Sequence, residues 1–280
     1  MSEDTTCFQS DLIFDVGMHN GEDTAFYLKK GFRVVAVEAN PDLCARAKDR
    51  FRKEIETGRL IIVPRAIAHR PGPVTLWVNN RNDEWSSLAR DYVDRNNRIG
   101  AHSSPLQVPA VRFAEILDGY GVPYDLKIDI EGLDHLCLEA LQGLSGRPKY
   151  VSVETSGTNN FDYTLGLLTS LSALGYRRFK LVNQYMHHRI SLPRPSREGA
   201  FIEHRFPRDA SSGPFGEETP GSWEPVESII EKYSKLLRLQ ARYTIQGENY
   251  TPLRSRLYYG LHRLLRMEPV GWYDIHASYE

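Results

Sequence analysis

From residue 11 to about residue 183, short apolar runs alternate with amphipathic, helix-like segments. This is the pattern of a mostly parallel sheet covered by helices on both faces, a doubly wound, Rossmann-like α/β fold. The predicted strands are Leu12–Val16, Arg33–Val37, Leu60–Val63, Tyr124–Ile130, Tyr150–Val153 and Arg178–Val182, with an extra strand over Val74–Val78. Helix punctuation falls between them: Gly31 stops the first helix, Asn40 and Pro41 suit the N-cap and first position of the second, and Gly58 ends it. The polar stretch Asn79–Ser104 reads as a loop or lid.

Beyond Val182 the texture changes, because Pro, Gly and Ser accumulate from Pro193 to Pro225 and break any regular period. Two amphipathic helices are predicted next, one facing inward through Ile229, Ile230, Tyr233, Leu236 and Leu237, the other through Leu253, Leu257, Leu261, Leu264 and Leu265. The second group is expected to pack against the domain, with a place on anionic lipid as the alternative for the basic amphipathic segment Leu253–Met267. The aromatic tail from Gly271 to Tyr279 has strand character and is expected to return to the sheet. The chain therefore divides into a core over 1–183, a helical insertion or cap over 184–270, and a last core strand over 271–280.

Composition narrows the classes. In 280 residues, 41% are hydrophobic and 25% charged, and the formal net charge is −1, so no global field draws in nucleic acid. Cys7, Cys44 and Cys137 are too few and too scattered for a disulfide framework or a thiolate zinc site. The start Met-Ser-Glu-Asp-Thr-Thr lacks a basic region and apolar core, and no stretch is apolar enough to span a bilayer. The expectation is a cytoplasmic protein without stable membrane insertion.

The first candidate chemistry is the loop Asp15-Val-Gly-Met-His-Asn-Gly21. A strand running through Gly17 and Gly21 into a helix is expected to offer bare amides to an anionic ligand group, while Asp15 meets a cationic one. Glu38, ending the second strand, is placed to accept the hydroxyls of a ribose. The dinucleotide pattern fails because His19 stands where its second glycine belongs, so the loop favours S-adenosylmethionine over NAD without excluding NAD.

The second is the fourth strand, where Lys127, Asp129 and Glu131 alternate with Leu126, Ile128 and Ile130 and so share one face. Asp129 is expected nearest the reacting centre, as base or orienter, with Glu131 and Glu154 supporting it and His19 as a rival base. An internal salt-bridge set is the competing explanation. Trp85, Ser86 and Ser87 in the lid and His135 after Gly132 are candidate substrate contacts. Asp129 and Glu131 alone would leave most of a magnesium shell to water, so no metal is expected.

Four segments resemble the FkbM-type family of class I S-adenosylmethionine-dependent methyltransferases: Asp15 to Gly21, Val37-Glu-Ala-Asn-Pro41, Ala66-Ile-Ala68 and, most specifically, Lys127-Ile-Asp-Ile-Glu-Gly132. The resemblance covers residues 11–183. It implies a seven-stranded sheet, S-adenosylmethionine as cofactor with S-adenosylhomocysteine as product, and methylation of a hydroxyl oxygen. Through the same segments it carries Asn20, Ala39, Ala66 and Asp129 into the cofactor site.

The rival classes are an NAD-dependent oxidoreductase or epimerase and a non-catalytic binding module with a basic arm. Arginines concentrated over Arg177–Arg208 and Lys232–Arg266 suggest a small anionic acceptor, such as a sugar derivative or a secondary-metabolite intermediate. Nucleic acid is disfavoured, since Ile130-Glu131-Gly132 stands where an Asn/Asp-Pro-Pro-aromatic tetrad would be needed. The leucine faces allow a homodimer.

Overall fold

The computed structural model describes residues 8–98, 100–155, 161–208, 211–244 and 249–279. Cys7 and the N-terminal hexapeptide lie outside the described residues.

In chain order the elements are β1 (Gln9–Val16), α1 (Glu22–Lys29), β2 (Arg33–Val37), α2 (Pro41–Arg50), α3 (Arg52–Glu56), β3 (Leu60–Val63), β4 (Ala66–Ile67) and β5 (Gly72–Asn79). Next come α4 (Arg90–Arg98), β6 (Ser103–Val111), α5 (Phe113–Tyr120), β7 (Pro123–Ile128), α6 (His135–Leu141), β8 (Tyr150–Glu154), α7 (Phe161–Ala173) and β9 (Arg178–Asn183). The chain closes with α8 (Val226–Tyr243), α9 (Pro252–Leu265) and β10 (Tyr273–Ser278).

Seven strands form the central sheet in the order β3-β2-β1-β7-β8-β10-β9. All are parallel except β10, which runs antiparallel between β8 and β9. The aromatic tail thus re-enters the sheet, and the 184–270 segment lies between the last two strands as expected. β4, β6 and β5 make a separate three-stranded sheet.

Alternation explains why both faces are covered. Leu12, Phe14, Val16, Val35 and Val37 point into one cluster with residues of α5, α6, α7 and α8, while Ile13, Val34 and Ala36 point into the other with residues of α1 and α2. Asn40 caps α2 by accepting the Asp42 amide at 3.0 Å, with Pro41 at the first helical position.

The arm begins as part of that second layer. Phe206 and Phe215 lie in the same cluster as Phe26 and Phe32, with Ile190, Leu192 and Ile202 packed against it, so these arm residues help cover that face of the sheet. Lys30 donates to both carboxylate oxygens of Glu218 at 2.8 and 2.9 Å, and neither side chain is exposed. Glu218→Gln leaves the Lys30 ammonium buried without its counter-charge and is expected to cost about 3–5 kcal/mol. Urea unfolding checks this; Lys30→Met with Glu218→Leu together is expected to recover most of the loss.

Two expectations fail. The 79–104 lid is largely structured, with α4 inside it and β6 starting at its end, because Tyr92, Val93 and Asn96 give a polar segment one buried face. The leucines of α9 do not face the domain: Leu253, Leu257, Leu261 and Leu264 are 71%, 66%, 53% and 79% exposed. The inner side of that helix is instead tyrosine and serine. Tyr258 stacks on Tyr243, Tyr259 donates to the Val270 carbonyl at 2.8 Å, and Ser255 donates to that of Tyr243 at 2.8 Å.

Candidate active site

The carboxyl ends of β1, β2, β7 and β8 open into a cavity of about 520 Å³, within the range of small-molecule sites. Of the residues singled out in the sequence, Gly17, His19, Asn20, Glu38, Ala39, Ala66, Trp85, Ser86, Asp129, Glu131 and Glu154 line it. Asp15, Gly21, Ser87 and His135 do not.

Gly17 sits at φ +85°, and a Cβ there would lie 1.8 Å from the Asp129 carbonyl oxygen. The loop is therefore pressed against the end of β7, which is why the strand-to-helix turn needs glycine. Its amides are not bare, however. Those of Gly17 and Met18 donate to the Val37 carbonyl at 3.0 Å each, and that of His19 to Glu38 Oε2 at 2.8 Å.

The charge expected of Asp15 is also already matched within the protein. Asp15 is fully buried, accepts the Thr24 hydroxyl at 2.6 Å, and lies 3.2 Å from Lys127 Nζ, which donates to the Gly17 carbonyl at 2.7 Å. Lys127 is thus a strut between β7 and the loop, and its proximity to Asp15 raises its pKa against the effect of burial. The acids that do reach the cavity from this side are Glu22 and Asp23, in the first turn of α1, and of the two Asp23 is buried. Burial pushes its carboxyl up to about 6, and it accepts from the Ser211 hydroxyl and the Ser212 amide. Sequence gave Asp23 no signal beyond an acid in a helix's first turn.

Glu38 accepts the His19 and Asn40 amides, one on each oxygen, at 2.8 and 2.7 Å. This holds its carboxylate at the cavity wall beside Ala39, Leu43, Ala66 and Ile67, an apolar slot one strand away from the loop.

At the other end, carboxylate oxygens of Asp129, Glu131 and Glu154 all lie within 4.8 Å of one another, a spacing that can hold one cation. The strand alternation predicted only part of this. β7 ends at Ile128, and Glu131 reaches the cluster through a left-handed turn at φ +51° followed by Gly132, with Asp134 accepting the Ile130 and Gly132 amides. Glu154 arrives from β8. The expectation of no metal rested on two acids, and the third carboxylate comes from this pairing of strands.

Burial raises the pKa of all three. Glu131 is pushed up to about 8, with Asp129 adding to the effect and Arg95, 3.7 Å away, opposing it. Glu154 is raised well above the carboxylate range by burial and then by Asp129 and Glu131. Lys127, 3.9 Å from Asp129, offsets part of the rise at that residue. Burial and mutual repulsion thus favour a proton on the cluster, against the pull of Lys127 and Arg95.

His19, at φ +50°, is held by the lid: its Nε2 lies 3.0 Å from Asp83 Oδ1. Ser87 donates to the Glu131 carbonyl at 2.6 Å, so it fastens the lid over the cluster and does not face the cavity. His135 packs against Tyr163 and His69 behind the turn. The arm supplies further wall through Gln184, Gln240, Tyr243 and Tyr259, and Trp272 joins them from just before β10, all in a stretch without any motif to mark them.

Comparison with curated proteins gives no match. Among solved structures, a methyltransferase FkbM from Methylobacillus flagellatus KT is 17% identical over 61% of this chain and 40% of that one, with a TM-score of 0.41. This chain therefore spans well under half the length of that protein. A SAM-dependent O-methyltransferase from Thermotoga maritima is 15% identical over 97% of this chain and 60% of that one, with a TM-score of 0.38. A SAM-dependent methyltransferase from Archaeoglobus fulgidus is 12% identical over 98% and 88%, with a TM-score of 0.38. Residues 15–178, which include the Gly17 loop, Glu38 and all three clustered carboxylates, match the methyltransferase FkbM domain, and the chain belongs to that family.

Proposed function

We propose that this protein transfers the methyl group of S-adenosylmethionine to a hydroxyl oxygen of a small, sugar-like acceptor. The observation that carries the reading is one cavity lined both by Glu38, at the end of β2, and by the clustered carboxylates of Asp129, Glu131 and Glu154. The family match favours methyl transfer over the nicotinamide alternative.

The residues present fit the cofactor. Glu38 keeps lone pairs for ribose hydroxyls, the slot of Ala39, Leu43, Ala66 and Ile67 suits a purine, and Asp23 is an acid for the amino group. When bound, S-adenosylmethionine supplies an electrophilic methyl carbon. Asp129 then accepts the acceptor's hydroxyl proton, while Glu131 and Glu154 orient that hydroxyl and share the proton. Lys127 fixes Asp129 relative to the Gly17 loop.

The cavity wall favours a neutral polyol over an anion. Among the described residues, its cations are Arg65, Arg95 and Lys127, and none of the cations of 177–208 or 232–266 line it. Carboxylates accept from sugar hydroxyls, and Tyr243, Tyr259 and Trp272 offer flat faces to a ring.

Isothermal titration with S-adenosylhomocysteine is expected to show binding to the wild type and roughly 100-fold weaker binding to Glu38→Ala, the loss of two charge-assisted hydrogen bonds. The substitution also frees the His19 and Asn40 amides. An absence of binding to the wild type sinks the proposal. Binding without transfer of labelled methyl to any of a panel of mono- and disaccharides points to the non-catalytic module instead.

A further inference from the structure

The outer face of α9 has no partner among the described residues. No side chain of this helix is buried, and Leu253, Leu257, Leu261 and Leu264 recur at spacings of four, four and three, which places them on one stripe. Each is more than half exposed, an unusual cost for a contiguous apolar stripe facing water.

The charges beside the stripe indicate what covers it. At about 100° per residue, Arg254 falls on one flank and Arg256 and Arg263 on the other. All three are exposed, none has an acidic partner among the described residues, and no Asp or Glu occurs from Thr251 to Met267. Exposed Arg238 and Arg242 extend the positive field along α8. A second copy docked isologously would set arginine against arginine. An anionic lipid surface meets both features, taking leucines at the acyl boundary and guanidinium groups at the phosphates.

We propose that α9 docks this protein in the plane of an anionic bilayer, with Leu253, Leu257, Leu261 and Leu264 embedded and Arg254, Arg256 and Arg263 at the lipid phosphates. No helix among the described residues is long and apolar enough to cross a membrane, so the attachment is peripheral. Ser255 and Tyr259 of the same helix line the cavity, and docking sets that side of it beside the headgroups.

Vesicle flotation of the full chain tests this, using phosphatidylcholine with and without phosphatidylglycerol at low and high salt. Binding is expected only with phosphatidylglycerol, weakened by salt, lost in Leu257→Ser/Leu261→Ser, and reduced roughly fivefold per arginine in Arg254→Gln and Arg263→Gln. These side chains are exposed, so the melting temperature of each variant is expected to stay at the wild-type value, which separates lost docking from lost fold. Equal binding to both vesicle types, or undiminished binding by the leucine variant, overturns the proposal. So does a wild-type dimer in sedimentation that Leu257→Ser/Leu261→Ser dissociates, since the stripe would then join two copies.

Discussion

Asp129→Asn is expected to lower kcat by roughly 10²- to 10⁴-fold, the range for loss of a positioned general base, while S-adenosylhomocysteine affinity changes far less. The substitution keeps shape and removes the proton acceptor. Lys127, 3.9 Å from Asp129, opposes the rise that burial causes there, whereas Glu131 is pushed up to about 8 despite Arg95 and Glu154 still further, so Asp129 is the acid best kept ionised. Single-turnover rates and titration with S-adenosylhomocysteine, read together, decide the role. A large loss of affinity with kcat retained would make Asp129 a cofactor ligand alone.

The pH profile carries the same argument. A base must be ionised to act, and raised carboxylate pKa values move that ionisation upward, so wild-type kcat is expected to climb with pH to an apparent pKa far above 4. Glu131, pushed up to about 8, puts part of that climb in the neutral range, and Glu154, raised further still, keeps its proton longest. A rate already flat from pH 5 upward is incompatible with proton transfer to this cluster.

The sheet was readable because each strand is a compact apolar run between breakers, and a strand buried on both faces leaves that trace in one dimension. The site was readable only where chemistry lies within one segment. Glu38 is an example, as an acid at a strand end. Glu154 was expected to support Asp129, but the closeness of the two depends on β8 lying next to β7. Asp15 misled for the same reason: an acid before a glycine loop looks free for a ligand until Lys127, far along the chain, is placed beside it. The leucines of α9 show the limit of periodicity, which detects an apolar face but cannot tell one that packs inward from one left on the surface.

Gly17→Ala is expected to destabilise the fold by about 3–5 kcal/mol, combining a left-handed backbone penalty with overpacking. In a chain of this size that is a fall in melting temperature of roughly 10 °C or more. The added methyl would lie 1.8 Å from the Asp129 carbonyl oxygen, and neither side can yield cheaply. The Asp129 amide donates to Val16 at 2.9 Å and the Gly17 amide to Val37 at 3.0 Å, so movement breaks the ladder on one side or the other. Gly31→Ala is the internal control. It has a similar φ of +97° but open space around its Cβ, and is expected to cost only about 1 kcal/mol. Equal losses at the two positions would show that backbone conformation alone demands glycine at 17. A much larger loss at Gly17, together with lost cofactor binding, ties the loop to the strand end that presents Asp129.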